Sequence, residues 1–177
     1  MQSPKNSAGR TIVWFRGKDL RLTDHVPLRD ALRRGEVIAL FILDPHFFSP
    51  SKAQELPHRI QYLLEALRKL KANIEHLGSN LIIVEGKSHE ILPQLVKRWK
   101  ADLLVAHRWV EPIGRKRDKI IQETLSIPFK LYEGETLCPP GQIKNKSGLP
   151  YSVYTPFSRS FLSNADIGNP IGRPKTL

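Results

Sequence analysis

Five short apolar runs recur along the first 132 residues of the chain. Each run is five to seven residues long, which is the length and character of a strand buried on both faces of a parallel sheet. The runs are Thr11–Phe15, Val37–Leu43, Asn80–Glu85, Leu103–His107 and Pro128–Tyr132. The pattern therefore predicts five strands.

Stretches with a helical period separate these runs. The longest covers residues 58–78 and has Gly78 as a natural stop. Shorter patterns predict one helix that Asp24 caps and that ends at Gly35, a second with Pro93 near its first turn, and a third around Ile120. The apolar positions of the longest pattern repeat every 3.6 residues: Ile60, Leu63, Leu64, Leu67, Leu70, Ile74 and Leu77.

This alternation of strands and helices predicts the fold class α/β. Crossovers long enough for a helix join parallel strands, so we expect a Rossmann-like doubly wound five-stranded parallel sheet with helices on both faces. In such sheets ligands bind beyond the carboxyl ends of the strands. The turns after Phe15, Leu43, Glu85 and His107 are therefore the places to look for a site.

The character of the chain changes after Tyr132. Prolines and glycines dominate the next segment, which predicts an extended loop with turns, and the last residues are polar, linker-like and without an apolar period. The expected organisation is an α/β domain over residues 11–135, an extended loop with a short helix packed on it over 136–162, and the start of a linker over 163–177.

Composition narrows the function classes. The net charge is +11 and the pI is near 10, which is compatible with a nucleic-acid partner, although basic helix faces in water would give the same total. The single cysteine, Cys138, excludes an internal disulfide and a cysteine-based zinc site. The amino terminus is polar, and no apolar run is long enough for a membrane span, so a cytoplasmic compartment is expected.

Recognised catalytic and nucleotide signatures are missing from the sequence. There is no GxGxxG after the first strand, no P-loop, and no HExxH, CxxC or GxSxG. His46, His58 and His89 lack the spacing of metal ligands and are expected at the surface or at helix caps. No catalytic residue and no metal site are predicted.

The turn after the first strand is densely charged. Arg16, Lys18, Asp19 and Arg21 lie within six residues. This turn could contact a ligand or another domain. Alternatively Asp19 pairs with Arg16 or Arg21 and locks the turn, and the spacing favours this structural interpretation.

The segment after the fourth strand carries the clearest candidate site. His107, Trp109 and Glu111 occupy alternate positions, so an extended backbone would direct all three toward the crevice. An aromatic face beside a carboxylate suits a flat heterocycle with ring N–H donors. Alternatively Trp109 covers the core and Glu111 pairs with an arginine. Arg59 should lie near the same edge, where it could contact Glu111 or a ligand.

Phe41 and Ile42 are expected in the core, and one of them could form the floor of the same pocket. Both belong to the second predicted strand, close to its carboxyl end.

Several ordered motifs resemble the N-terminal domain of the DNA photolyase and cryptochrome family, most of all the microbial class I photolyases. The similarity runs from about Thr11 to Phe161. One difference lies in the first turn, where Gly17 and Lys18 separate Arg16 from Asp19 and the family usually has one residue. The motifs are WFR…DLRLTDH, ALFILDP, the long helix from Arg59, GSNLIIVEG, EPIGRKRD and PPGQIKNKSGLPYSVYTPF.

The resemblance implies a light-harvesting role. Family members join this α/β domain to a helical domain that binds FAD and damaged DNA and repairs pyrimidine dimers in light. The helical domain is not in this sequence, so the chain is expected to be inactive alone. In many members the α/β domain holds an antenna chromophore: a folate, 8-hydroxy-5-deazaflavin or a flavin.

The same resemblance ranks the chromophores. Deazaflavin-binding members have an arginine at the position that matches Arg59. They also have an acidic pair in the segment that matches Trp109 to Glu111; this chain keeps the second acid, Glu111, and has Trp109 in place of the first. Folate-binding members have polar and acidic groups where this chain has Ile113 and Gly114. A deazaflavin or flavin is therefore favoured over folate, with a domain that binds no chromophore as the alternative.

Two other functions fit the predicted architecture. The chain could be a photoreceptor domain of a cryptochrome or a nucleotide-binding module of electron-transfer-flavoprotein or universal-stress type, although no glycine-rich phosphate cradle supports the second. It could also be a protein-interaction fragment whose crevice is filled by Trp109.

Overall fold

The computed structural model describes residues 9–177, and the polar segment that precedes them lies outside the described residues. No helix in the described part of the chain is long and apolar enough to cross a membrane. The elements follow one another as β1 (Gly9–Phe15), α1 (Val26–Arg34), β2 (Gly35–Leu43), α2 (Pro45–Phe48), α3 (Pro50–Glu55), α4 (Pro57–Glu75), β3 (Leu81–Glu85), α5 (Ser88–Trp99), β4 (Leu103–His107), α6 (Pro112–Thr124), β5 (Phe129–Tyr132) and α7 (Tyr154–Asn164).

The five strands form one sheet in the order β3-β2-β1-β4-β5, and all neighbours are parallel. This confirms the predicted α/β fold class. The chain builds outward from β1 through β2 to β3, then returns to place β4 on the other side of β1. The switch point therefore lies between β1 and β4, where such sheets bind ligands at their carboxyl edge.

Both faces of the sheet are covered, as the apolar runs predicted. Alternate residues of β1 point to opposite faces, so Ile12 and Trp14 join a core cluster with residues of α5 and α6. Val13 and Phe15 join a second cluster with residues of α1 and α4. Burying each such large apolar side chain stabilises the fold by roughly 1.5–3 kcal/mol.

The start of α1 differs from the prediction. Asp24 has a left-handed backbone (φ 51°) and does not cap the helix. His25 is the N-cap, because its Nδ1 accepts the backbone N–H of Leu28 at 3.1 Å. The helix ends at Arg34 with Gly35 as its C-cap, which matches the predicted stop, and Pro27 lies in its first turn.

The helix α5 also differs in one detail. Pro93 lies inside this helix, one turn later than predicted, since the helix begins at Ser88. Asp44 fixes that start by accepting hydrogen bonds from the backbone N–H and the hydroxyl of Ser88 at 3.0 and 2.8 Å. Proline has no N–H, so the carbonyl of His89 gains no partner in the regular helical pattern.

Two short helices, α2 and α3, were not predicted. Asp44 and Ser49 cap them and each cap is followed by a proline, which is a good first helical residue. They connect β2 to α4 and lie over the carboxyl edge of the sheet.

The segment between β5 and α7 contains no helix or strand, as the prolines and glycines predicted. None of the side chains of α7 is buried, although Phe157 contacts Tyr151 and Phe161. The three-part division at residues 135 and 162 stays a prediction.

The last residues return to the domain. The carbonyl of Ile171 accepts the N–H of Asp24 at 2.7 Å, and the N–H of Leu177 donates to the carbonyl of Leu77 at 3.1 Å. The Leu177 side chain packs against the cluster that contains Val13. The tail, residues 165–177, thus crosses the α1 and α4 side of the molecule.

Candidate functional site

A cavity of about 450 Å³ opens at the carboxyl edge of the sheet, a size suited to a small organic ligand. Its walls come from the ends of β1 and β2, the short helices after β2, the first turns of α4, and the segment that follows β4. This is the edge that the alternating pattern predicted.

The floor and one wall of the cavity are apolar and aromatic. Phe41 and Ile42, which are 2% and 5% exposed, contribute from β2. Trp14 contributes from β1. Phe47 meets Trp109 edge to face, with ring centroids 5.5 Å apart. Such a lining favours a flat aromatic ligand.

The polar lining is strongly cationic. One histidine, one serine, one carboxylate and five basic side chains face the cavity. The carboxylate is Asp44, and the basic residues are Arg16, Lys18, Lys52, Arg59 and Arg117. The excess of positive charge favours an anionic ligand.

Arg16 is the most buried of these cations. Its Nη1 lies 2.9 Å from Oδ2 of Asp118, and both side chains are 4% exposed. Burial lowers the pKa of the Arg16 guanidinium to about 10, although Asp118 opposes this shift. The Nε and Nη2 of Arg16 are buried without a hydrogen-bond partner among the described residues, so they could donate to a ligand.

Asp118 serves two arginines. Its other oxygen, Oδ1, accepts hydrogen bonds from Nε and Nη2 of Arg117 at 3.1 and 2.9 Å. The carboxylate of one α6 residue thus fixes Arg16, which directly follows β1, and Arg117 on α6 at the same wall.

Lys18 lies across the mouth of the cavity. Its ammonium is 3.0 Å from Glu111 and 2.7 Å from Glu135, and it lies 5.5 Å from the ring centroid of Trp109. Partial burial would lower the pKa of Lys18, but hydrogen bonds to Glu135 and Glu111 outweigh it and raise the pKa. Lys18 therefore connects the turns that follow β1, β4 and β5.

Asp44 is committed to the protein rather than free to bind a ligand. Burial would raise the pKa of Asp44, but hydrogen bonds from Ser88 and from the backbone of His46 lower it overall. Its charge stabilises the start of α5, consistent with an acid at a helix N-terminus.

Four of the six predicted binding residues line the cavity: Phe41, Ile42, Arg59 and Trp109. His107 and Glu111 do not. The prediction that His107, Trp109 and Glu111 point in one direction is wrong, because β4 ends at His107 and the chain turns before α6. Arg59 does not pair with Glu111, whose partner is Lys18.

His107 belongs to a buried cluster below the charged turn. Its Nδ1 lies 2.9 Å from Oδ2 of Asp19, and Nε2 of His25 lies 3.5 Å from the same oxygen. Burial would raise the pKa of Asp19, but hydrogen bonds from His107 and His25 hold it well below its usual range. Burial lowers the pKa of His25.

The ligand atoms of Asp19, His25 and His107 lie within 4.8 Å of one another, a spacing that could hold a metal ion. Nδ1 of His25, however, accepts the N–H of Leu28, so its other nitrogen carries the proton in the neutral ring. That nitrogen, 3.5 Å from Oδ2 of Asp19, has no lone pair for a metal in this tautomer. Within the cluster, the hydrogen bond between Nδ1 of His107 and Oδ2 of Asp19 braces the turn.

Hydrogen bonds within the protein hold the charged turn, but not through the predicted side-chain pairing, and its purely structural role stays a prediction. Oδ1 of Asp19 accepts the backbone N–H of Arg16 at 2.5 Å, and no arginine side chain reaches this carboxylate among the described contacts. Arg21 donates to the carbonyl of Asp24 at 3.2 Å. Arg16 reaches instead to Asp118, which lies 102 positions away in sequence.

Sequence reasoning missed several cavity residues. Arg117 belongs to the motif EPIGRKRD, which was used only for the family resemblance, and Phe47 lies on the unpredicted helix α2. The Asp-Pro and Ser-Pro pairs before α2 and α3 were the available signal, since each pair marks a helix start. His46, expected at the surface or at a helix cap, is exposed and also borders the cavity.

Comparisons with known proteins agree on one family. The family model described as DNA photolyase matches residues 11–175. A deoxyribodipyrimidine photo-lyase of Thermus thermophilus is 37% identical over 169 residues, which are 96% of this chain and 37% of that protein.

Two solved structures have the same fold. A bacterial class III photolyase from Agrobacterium tumefaciens gives a TM-score of 0.82 at 32% identity, covering 99% of this chain and 36% of that one. An archaeal photolyase from Sulfolobus tokodaii, described as having two FAD molecules and implying a novel light-harvesting cofactor, gives 0.77 at 25% identity, covering 94% and 37%. The chain thus spans little more than a third of these relatives. The resemblance to class I in particular stays a prediction.

Proposed function

Because the chain belongs to the DNA photolyase family, we propose that it is the N-terminal light-harvesting domain of a deoxyribodipyrimidine photolyase, which repairs pyrimidine dimers in light. In this proposal the chain is not catalytic alone. A helical FAD-binding domain binds the pyrimidine dimer and carries out the redox chemistry. That domain is the proposed partner of this chain, and it makes the contacts with damaged DNA.

One observation carries this proposal: the cavity at the carboxyl edge joins an aromatic lining to a cationic one. Trp14, Phe47 and Trp109 supply flat faces, and Arg16 offers buried N–H groups that have no acceptor among the described residues. A planar chromophore with ring carbonyls and an anionic substituent would satisfy both. When bound, an antenna chromophore absorbs light and passes the excitation energy to the redox flavin.

The residues favour a flavin or 8-hydroxy-5-deazaflavin over a folate. Five basic side chains against one carboxylate suit a phosphate-bearing flavin best. Ile113 is 62% exposed and Gly114 lies under the Trp109 ring, so neither provides the acidic contact expected for folate. The alternative outcome of the titration described below is a domain that binds no chromophore.

Each predicted site residue has a proposed part. Phe41 and Ile42 form the floor, Trp109 contacts the chromophore ring, and Arg59 at the start of α4 binds its anionic group. Glu111 and His107 act indirectly. Glu111 holds Lys18 at the mouth, and His107 positions the turn that leads to Arg16 through Asp19.

The test is a titration of the purified chain with FMN, 8-hydroxy-5-deazaflavin and a reduced folate, each alone, followed by absorption and fluorescence anisotropy. Saturable, stoichiometric binding of FMN or the deazaflavin is expected. Binding of folate with no binding of either flavin would contradict the ligand class, and no binding of any of the three would contradict a chromophore site.

A pair of variants on one helix tests the location. Arg59→Ala removes a cavity cation, whereas Arg68→Ala removes an exposed arginine of α4 that does not line the cavity. FMN affinity is expected to fall about tenfold or more in the first, the loss of one charge-assisted contact, and to stay unchanged in the second. Equal affinities in both would place the ligand elsewhere.

A further inference from the structure

Two tryptophans line the cavity, and each has cations against its ring. The guanidinium carbon of Arg117 lies 4.9 Å from the ring centroid of Trp14 and 4.6 Å from that of Trp109. The guanidinium carbon of Arg16 lies 4.2 Å from Trp14. Arg117 is thus shared between the two indoles, and the indoles are 3% and 8% exposed.

This arrangement matters because an excited flavin is a strong one-electron oxidant of a nearby indole. In that reaction the indole loses one electron and becomes a radical cation, while the excited ring gains the electron. The same electron then returns and the excitation is lost as heat. A chromophore that transfers excitation energy onward needs neighbours that do not react in this way.

We propose that Arg117, together with Arg16, makes Trp14 and Trp109 harder to oxidise and so protects the excited state of a flavin bound in the cavity. The inference rests on the proposed function for the identity of the ligand. Arg117 is a positioning residue in this role, since it acts through the two indoles and not on the chromophore itself.

The electrostatics follow from the charges at this wall. A radical cation on either indole would be repelled by a guanidinium less than 5 Å from its ring, and burial weakens the screening of that repulsion. Asp118 offsets only one of the two guanidinium charges, because Arg16 and Arg117 share that carboxylate. A net positive charge therefore remains beside the indoles.

The hydrogen bonding of Trp109 acts in the same direction. Its Nε1 is buried and has no acceptor among the described residues. An indolyl radical cation formed there would have no side chain to take its proton, so it could not be trapped as the neutral radical. Both features disfavour lasting charge separation at this site.

The test uses FMN as the probe and measures its fluorescence lifetime when bound, which does not depend on occupancy. Arg117→Gln removes the charge and is expected to shorten the bound lifetime on the order of tenfold. Arg117→Lys keeps the charge and should stay close to the native lifetime. Adding Trp109→Phe to Arg117→Gln should restore most of the lost fluorescence lifetime.

Two results would overturn the inference. One is an unchanged lifetime in Arg117→Gln. The other is a native lifetime that lengthens severalfold when Trp109→Phe is introduced alone, because Trp109 would then already quench the chromophore despite Arg117.

A second measurement separates this inference from the ligand assignment. In a Trp99→Phe background, flash photolysis with free lumiflavin as the photo-oxidant reports the yield of indolyl radical from Trp14 and Trp109. The yield is expected to rise in Arg117→Gln relative to the native Arg117, and equal yields would contradict the protection. Failure of FMN, the deazaflavin and the folate all to bind would contradict the proposed function, while this second measurement would still decide whether Arg117 protects the indoles.

Discussion

Replacing Asp118 by asparagine should destabilise the protein more than any change at a surface ion pair. Asparagine has nearly the same shape but no charge, so the change isolates the electrostatic contribution. It leaves Arg16 as a buried guanidinium without a counter-charge, and Nε and Nη2 of Arg16 already lack hydrogen-bond partners among the described residues.

The magnitude follows from the burial of the pair. Both side chains are 4% exposed and 2.9 Å apart, so water cannot replace the lost carboxylate charge without opening the wall between β1 and α6. Removing one partner of such a pair costs about 3–5 kcal/mol. For a chain of 177 residues this corresponds to a fall in Tm of roughly 6–20 °C.

Urea unfolding followed by circular dichroism, with tryptophan fluorescence as a second probe, would measure the loss. The matched control is Glu123→Gln on the same helix, whose partner Lys119 is 3.9 Å away with both side chains largely exposed. That change should alter the free energy of unfolding by no more than about 0.5 kcal/mol.

A double variant tests the cause. Combining Asp118→Asn with Arg16→Met removes the unpaired charge and should recover part of the stability lost in Asp118→Asn alone. A loss below about 1 kcal/mol in Asp118→Asn, or a double variant less stable than the single one, would refute the view that the buried charge pair causes the effect.

Three further outcomes are expected. Gly114→Ala should weaken FMN binding and cost about 1–3 kcal/mol of stability, because an added Cβ would lie 2.5 Å from the Trp109 ring, whereas Gly168→Ala, with open space around it, should be silent in both assays. The free energy of unfolding should fall as the pH drops below about 6.5, because burial lowers the pKa of His25 and the unfolded chain therefore takes up the proton first. The variant His25→Asn can still cap α1. In urea titrations it should flatten the pH dependence of the unfolding free energy between about pH 6.5 and 5. Deleting residues 166–177 should lower stability by about 1–3 kcal/mol and speed proteolysis at α1, and an unchanged urea midpoint would show that the docked tail contributes nothing.

The sheet could be predicted because its signal is local. Five apolar runs bounded by helical periods leave few topologies, and the strand β4 has the predicted bounds, Leu103–His107. The short helices α2 and α3 could not be predicted from hydrophobic periodicity, because four and six residues are too few to show a period of 3.6. Their signal lay instead in a capping residue followed by proline.

The candidate site could be predicted only in part. The edge of the sheet follows from topology, so Phe41, Ile42 and Trp109 could be placed near it. The partners of the charged residues could not, because Arg16 and Asp118 meet across 102 positions of sequence and nothing local indicates the pair. The prediction that His107, Trp109 and Glu111 point in one direction failed because side chains alternate with a period of two only while the backbone stays extended, and β4 ends at His107.

The docked tail has a practical consequence for anyone who wishes to excise this domain. Composition marks residues 163–177 as a spacer, so a boundary drawn from the sequence would be placed after residue 162. Yet Ile171 hydrogen-bonds to Asp24, and Pro174 lies against α1. Cutting at the apparent boundary would uncover the apolar surface of Leu28 and Leu32, so a fragment intended to be minimal would be prone to self-association.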